Sequence, residues 1–420
     1  MSVQHSPVRH VGVIGAGTMG AGIATSCVTH GLHVTLIDTQ LPALERGMRR
    51  IGATLDAAAK KGRLTAEAAA AAQARVAIAT DIAALEAADV VIEAVFESLE
   101  LKQDVFRGLD RVCAPGTLLA TNTSTLDVDA IATVTGRPHD VIGMHFFSPA
   151  NIMRLIEIVR APTTSAASVV KALALAERIG KIGVVVGNCF GFVGNRMLYA
   201  YGRENQLMLL EGVPAQRIDK VLEGFGMAMG PNAVGDLAGL DVGYRVRRER
   251  KDLPDDARYF RVADLLVEHG RLGQKSGRGM YCYDAETRAR TLDPEVDVLI
   301  RAEAARLKVA PRAISDSEII ERCIYALINE GAAILSDGIA ASPQDIDLIW
   351  CNGYGFPRAR GGPMAYADAV GLAAVYDGIG RLAVEQGALY WTAAALIAEL
   401  DARNGSFAAW QAARTERSST

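Results

Sequence analysis

Short runs of Val, Ile and Leu, bounded by turn residues, alternate with longer stretches of helical period up to about residue 187. The runs cover residues 8–14, 33–37, 76–78, 90–95, 118–121, 141–147, 155–159 and 182–186. Continuous apolar runs separated by helices predict a mostly parallel sheet covered on both faces. Between the second and third runs the pattern predicts an inserted pair of helices, 42–60 and 65–74, turning near Gly62. Beyond residue 187 the β-branched runs stop and the chain reads as helices.

The helical half contains an internal repeat. Its first copy reads Asn195-Arg196, Tyr199, Glu204, Glu211-Gly212, Asp219, Gly230-Pro231, Asp236 and Gly239-Leu240. The second reads Glu321-Arg322, Tyr325, Glu330, Asp337-Gly338, Asp347, Gly362-Pro363, Asp368 and Gly371-Leu372, in the same order and at nearly the same spacing. The expected organisation is therefore a first domain over 1–187, helical domains over 188–284 and 312–420, and a charged, weakly patterned linker over 285–311.

A chain of 420 residues, half of them hydrophobic, is too large for one compact core. The net charge of −4 comes from mixed signs along the chain, so neither a nucleic-acid partner nor a membrane surface is indicated. Six cysteines (Cys27, Cys113, Cys189, Cys282, Cys323, Cys351) lie far apart with no CxxC pair, which fits reduced thiols and no metal site. The apolar run 11–24 is broken by Gly12, Gly15, Gly17, Gly20 and Gly22 and lacks a basic flank, so it is not read as a signal peptide. The terminal Ser418-Ser419-Thr420 is not a peroxisomal tripeptide. The expectation is a soluble cytoplasmic protein.

Gly15-Ala16-Gly17-Thr18-Met19-Gly20 follows the first run directly and opens a helix. The first glycine permits a tight turn, the second lets backbone approach a pyrophosphate, and the third lets helix and sheet pack closely. The helix N-terminus offers unpaired N–H groups and the positive end of its dipole to the phosphates. Asp38 ends the second run, where a carboxylate can accept both ribose hydroxyls, and Thr39 and Gln40 follow with no arginine for a 2′-phosphate. This is the fingerprint of a Rossmann doubly wound α/β domain that binds NAD in preference to NADP.

Ligands of such sheets bind beyond the carboxyl ends of the strands. Two strand ends carry reactive residues there: Thr121-Asn122-Thr123-Ser124-Thr125, and His145-Phe146-Phe147-Ser148-Pro149 followed by Glu157. An imidazole, which titrates near neutrality, can take a proton from an alcohol while hydride leaves for NAD. Glu157 sits alone among apolar neighbours and would suit an imidazolium partner. The residues by themselves leave open a His–Glu catalytic pair or a buried structural hydrogen bond.

The stretches 11–24, 122–126, 145–159, 187–198, 225–240 and 275–283 resemble the L-3-hydroxyacyl-CoA dehydrogenase family over nearly the whole chain. The tandem helical domains, of the type found at the C-terminus of 6-phosphogluconate dehydrogenase, look most like the dehydrogenase half of multifunctional fatty-acid oxidation proteins. The crotonase-like hydratase half of those proteins is not seen, so a separate hydratase and thiolase are conceivable partners. The resemblance implies NAD-dependent oxidation of a (3S)-3-hydroxyacyl-CoA to the 3-oxoacyl-CoA in fatty-acid β-oxidation, a branch of lipid metabolism. It implies His145 as general base, Glu157 as its orienting carboxylate, and Asn195 and Ser124 at the substrate oxygen. It places Gly15, Gly17, Thr18, Met19, Gly20, Asp38, Glu97, Lys102, Ser124 and Lys275 at the cofactor. Ser148 stands where many members have Asn, and the Arg-rich stretch 241–261 departs from the usual segment, which unsettles the shape of the acyl pocket.

In the family, the inserted hairpin borders coenzyme A, and Arg46, Arg49, Arg50, Lys60, Lys61 and Arg63 would suit its phosphates. A solvated helix face accounts for the same charges. Two other functions stay open: an NAD-dependent dehydrogenase of another hydroxy acid, and a non-catalytic NAD-binding structural protein. Single-repeat family members dimerise through their helical domain. The attached second copy therefore predicts a monomer with an internal pseudo-dimer.

Overall fold

The computed structural model describes residues 8–418; Ser419 and Thr420 of the C-terminal tripeptide lie outside them. Internal contacts divide the chain into two units. One runs through Asn195 and takes in Asp337–Ala341; the other comprises Arg196–Ser336 and Ser342–Thr420.

The first unit is built on an eight-stranded sheet in the order β3-β2-β1-β4-β5-β6-β7-β8. Its strands are β1 (His10–Ile14), β2 (His33–Ile37), β3 (Val76–Ala79), β4 (Val90–Glu93), β5 (Leu118–Thr121), β6 (Val141–Phe146), β7 (Leu155–Arg160) and β8 (Ile182–Gly187). Helices α1 (Thr18–Thr29), α4 (Leu99–Val112) and α6 (Ala166–Arg178) connect strands, and α2 (Leu41–Lys60) with α3 (Ala66–Gln73) forms the expected inserted hairpin. The short α5 (Val128–Ala132) follows β5. Val11, Val13, Val34, Leu36, Val90 and Ile92 meet Ile23, Ala24 and Val28 of α1 in one apolar core.

Chain order reverses between β1 and β4, which opens the crevice where such sheets bind ligands. The sheet is mostly parallel, as expected; the exception is β7, which pairs antiparallel with β6. The cause is the connection. Residues 147–154 are too few for the crossover helix that parallel neighbours need. Strand β8 then runs parallel to β7 and forms one edge of the sheet. The segment Asp337–Ala341 lies along that edge, with Gly187 N donating to Ile339 O at 2.7 Å, so the edge is covered.

The second unit is helical apart from a two-strand pairing of β9 (Cys282–Tyr283) with β10 (Arg290–Thr291). The first repeat holds α7 (Gly194–Leu210, beginning in the first unit), α8 (Ala215–Phe225), α9 (Pro231–Ala238), α10 (Leu240–Glu249) and α11 (Arg261–Glu268). Stretch 285–311 is more than a weakly patterned linker, because it contains α12 (Pro294–Arg306). Asp293 caps its first turn and Val296, Ile300 and Ala304 are buried. The second repeat holds α13 (Asp316–Ser336), α14 (Pro343–Gly353), α15 (Pro363–Val370), α16 (Leu372–Gln386), α17 (Ala395–Ala402) and α18 (Phe407–Ser418).

The repeated residues do the same work in each copy. Asp219 accepts the amides of Asn232 and Ala233 at the start of α9, as Asp347 accepts those of Met364 and Ala365 at the start of α15. Gly230 and Gly362 leave room for those carboxylates, since a Cβ at either would lie 2.3 Å from the aspartate. The copies also exchange partners. Arg196 pairs with Glu330 at 2.6 Å and Arg322 pairs with Glu204 at 2.9 Å, the reciprocal contact of a twofold arrangement.

Candidate active site

The fingerprint loop is shaped by close backbone approach. Gly15 has φ +99°, and a Cβ there would lie 2.5 Å from Ala94 O. A Cβ at Gly20 would lie 1.8 Å from Gly15 O, so only glycine lets α1 start here. Nothing stands within 4 Å of the Cβ position at Gly17, leaving open space over the loop. No side chain caps α1 and no acidic residue occupies its first turn, so its N-terminus stays available to an anion. Asp38 is steered toward this space by Ala16 N (3.0 Å) and Gln40 N (3.1 Å). A cradle of this shape beside a fixed carboxylate fits a dinucleotide.

His145 and Glu157 face each other directly across the β6–β7 ladder. The hairpin that reversed β7 is what makes them a cross-strand pair. Both are buried, and His145 Nδ1 lies 2.8 Å from Glu157 Oε2. Glu157 Oε1 accepts Val193 N (3.2 Å) and Gly194 N (2.9 Å), where α7 begins, so its charge has partners although no water reaches it. A carboxylate can only accept, so Nδ1 is the ring nitrogen that donates to Glu157, and Nε2 is the other ring nitrogen, not engaged by that carboxylate. Phe147 and Phe192 pack beside the ring at 4.6 and 5.7 Å between centroids.

Beyond β5, one carboxylate organises the neighbouring loop. Glu97 Oε1 accepts Thr123 Oγ1 (2.6 Å), Ser124 N (2.8 Å), Ser124 Oγ (3.3 Å) and Thr125 N (3.3 Å). Its other oxygen lies 3.2 Å from Lys102 Nζ. Burial pushes the Glu97 carboxyl up, but the Lys102 charge and the hydrogen bonds from Thr123 and Ser124 outweigh it and hold the group below its ordinary value. Lys102 is 1% exposed and also pairs with Glu93 at 2.7 Å, while Glu93 accepts Thr121 Oγ1 at 2.7 Å. Lys102 therefore sits beneath the loop as its anchor. Asn195 Nδ2 lies 3.4 Å from Ser124 O, and Asn122 Oδ1 accepts Phe146 N at 2.9 Å, tying β5 to β6 beside His145.

Ser124, His145, Glu157 and Asn195, with Glu97 and Lys102, thus belong to one connected region of the first unit. Lys275 lies in the helical unit and pairs with Asp241. Lys60 and Lys61 are exposed where α2 ends. In the Arg-rich stretch the charges are locally paired: Arg245 with Asp241, Arg247 with Asp264, Arg250 with Asp252. Sequence reasoning missed Glu93 and Phe192. Glu93 carried a signal, as a lone acid at the end of an apolar run, nine residues before a lysine on the next helix.

The 3-hydroxyacyl-CoA dehydrogenase NAD-binding domain model matches residues 10–189. The C-terminal domain model of the same family matches twice over, at 191–283 and 319–404, one match for each repeat. The peroxisomal bifunctional enzyme of Danio rerio is 46% identical over 88% of this chain and 53% of its own length. The Homo sapiens protein of that name is 44% identical over the same shares. The chain spans about half the length of the curated relatives it matches. The structure of 3-hydroxybutyryl-CoA dehydrogenase from Escherichia coli superposes with a TM-score of 0.81 at 30% identity, covering 95% of this chain and 99% of that one.

Proposed function

The chain belongs to the 3-hydroxyacyl-CoA dehydrogenase family, and on that premise we propose that it oxidises a (3S)-3-hydroxyacyl-CoA to the 3-oxoacyl-CoA with NAD. The observation that carries this reading is the buried His145–Glu157 pair at the carboxyl edge of the sheet, with Nε2 left as the basic atom. When bound at the fingerprint loop, NAD supplies the hydride acceptor. The residues of the chain manage the proton and the oxygen. His145 Nε2 takes the hydroxyl proton, and Glu157, fixed by two backbone amides, stabilises the imidazolium that forms. Ser124 and Asn195 hydrogen-bond the 3-oxygen as it becomes a carbonyl. Glu97 and Lys102 act on the cofactor end through the loop they hold, and Lys275 is assigned to the cofactor by the family resemblance alone. Lys60 and Lys61 receive coenzyme A phosphates at the hairpin.

The proposal includes domains over 1–187, 188–284 and 312–420, with the two helical repeats paired inside a monomer. The Arg196–Glu330 and Arg322–Glu204 exchange supports that pairing. Among the described residues no helix is long and apolar enough to cross a membrane. A cytoplasmic location is proposed from six cysteines of which none forms a disulfide, against relatives named peroxisomal; cell fractionation decides it.

The test is reduction of acetoacetyl-CoA, followed by loss of the NADH absorbance. Turnover should require the CoA ester and should collapse with NADPH, because Asp38 repels a 2′-phosphate. Turnover of a free hydroxy acid instead would move the substrate class, and NADH binding without turnover would leave a structural protein.

A further inference from the structure

One arginine of the basic hairpin faces the fingerprint loop. Gly47 packs α2 against that loop: a Cβ there would lie 3.0 Å from Ala16 Cβ and 3.1 Å from Ala16 O. One turn further along the same face of α2 stands Arg50. Its Nη1 donates to Thr18 Oγ1 at 2.5 Å, and Thr18 is the first residue of α1. Both side chains are exposed, and among the described residues no carboxylate pairs with Arg50. Most other arginines described above have carboxylate partners, as Arg247 has Asp264. A guanidinium without a counter-charge thus lies at the open, uncapped N-terminus of α1, above the space at Gly17.

We infer that Arg50 is a cofactor-binding residue that pairs with the pyrophosphate of the dinucleotide. The inference rests on the reading of this loop as the NAD site. The guanidinium would exchange a neutral hydroxyl partner for phosphate oxygens, which it can contact in bidentate fashion. The ribose end of the loop is held by Asp38, whose charge opposes a 2′-phosphate there. Lys60, at the far end of α2, is ten residues away, about 15 Å along the helix, so Arg50 is separate from a coenzyme A contact at the hairpin tip.

The experiment titrates NADH into wild type, Arg50→Gln and Arg50→Lys by fluorescence, with ADP-ribose and adenosine as competitors. Arg50→Gln should weaken NADH and ADP-ribose by about 5- to 20-fold, the scale of one charge-assisted contact at a partly open site. Adenosine, which has no phosphate, should bind as in wild type. The NADH affinity of the variant should depend less steeply on salt, and Arg50→Lys should fall between the two. Unchanged NADH and ADP-ribose affinities in Arg50→Gln would overturn the inference. So would a loss confined to acetoacetyl-CoA, which would make Arg50 a substrate residue. Failure of the wild type to bind NADH would strike the cofactor reading itself and the inference with it.

Discussion

At the carboxyl edge of the sheet, His145 and Glu157 are buried as a pair, and among the described residues one imidazole nitrogen has no hydrogen-bond partner. In the helical unit Arg322 is likewise fully buried, at 0% exposure, and its charge is taken up by Glu204 and Glu211. The first arrangement leaves an atom for chemistry; the second joins two repeats. A buried charge is therefore a site only when part of its bonding capacity stays open toward a ligand. The same contrast separates the equivalent positions of the repeat. Asn195 reaches the backbone of Ser124 in the loop beyond β5, whereas Glu321 forms a surface ion pair with Arg381.

The largest perturbation of the helical side is removal of residues 315–420. It strips the partner from the first repeat, and it also removes Asp337–Ala341, which covers the β8 edge. By light scattering the truncated chain should dimerise or aggregate, whereas the intact chain should run as a monomer. A well-behaved truncated monomer would show that the repeats do not depend on each other. Next is Arg322→Ala, which removes the cation shared by Glu204 and Glu211, leaves them Arg203 and Arg312, and should cost about 2–3 kcal/mol in denaturant unfolding. Turnover per folded molecule should stay near wild type, the opposite of what a site residue would show.

On the catalytic side, Glu157→Gln keeps an acceptor for the Val193 and Gly194 amides but loses the charge facing the imidazolium. Turnover should fall by roughly 10- to 100-fold, a part of the usual worth of a positioned base, with NADH affinity retained. The smallest effect concerns the loop at Ser124. The Glu97 carboxyl is held below its unfolded value, so its contribution is present above the ordinary carboxylate range and is lost as pH falls through the folded value. Wild type should lose stability on acidification, and Glu97→Gln should be less stable at neutral pH with a flatter acid limb. Parallel acid limbs in both proteins would show that the Glu97 charge does not hold the loop.

Much of the fold was legible because its signals are local. The strands, the glycine fingerprint, Asp38 and the hairpin follow from period and spacing, and the repeat follows from order. The reversal of β7 was written in an eight-residue connection rather than in any strand pattern. Helix α12 was announced only by Asp293-Pro294, a capping signal inside a charged stretch. Partners of charged residues were legible least. Lys102 looks like a surface lysine on α4 until the fold sets it between Glu93 and Glu97, and Arg50 looks like its basic neighbours until Gly47 draws α2 onto the loop. Contacts between residues far apart in sequence do not show in periodicity.

The central claim is that His145 Nε2 is the base. Its direct test is His145→Ala assayed beside wild type for acetoacetyl-CoA reduction, with NADH affinity and unfolding measured on the same samples. Turnover should fall by about 10²- to 10⁴-fold while NADH affinity and unfolding stay near wild type. Retention of most of the wild-type turnover by a folded, NADH-binding His145→Ala protein would contradict the account.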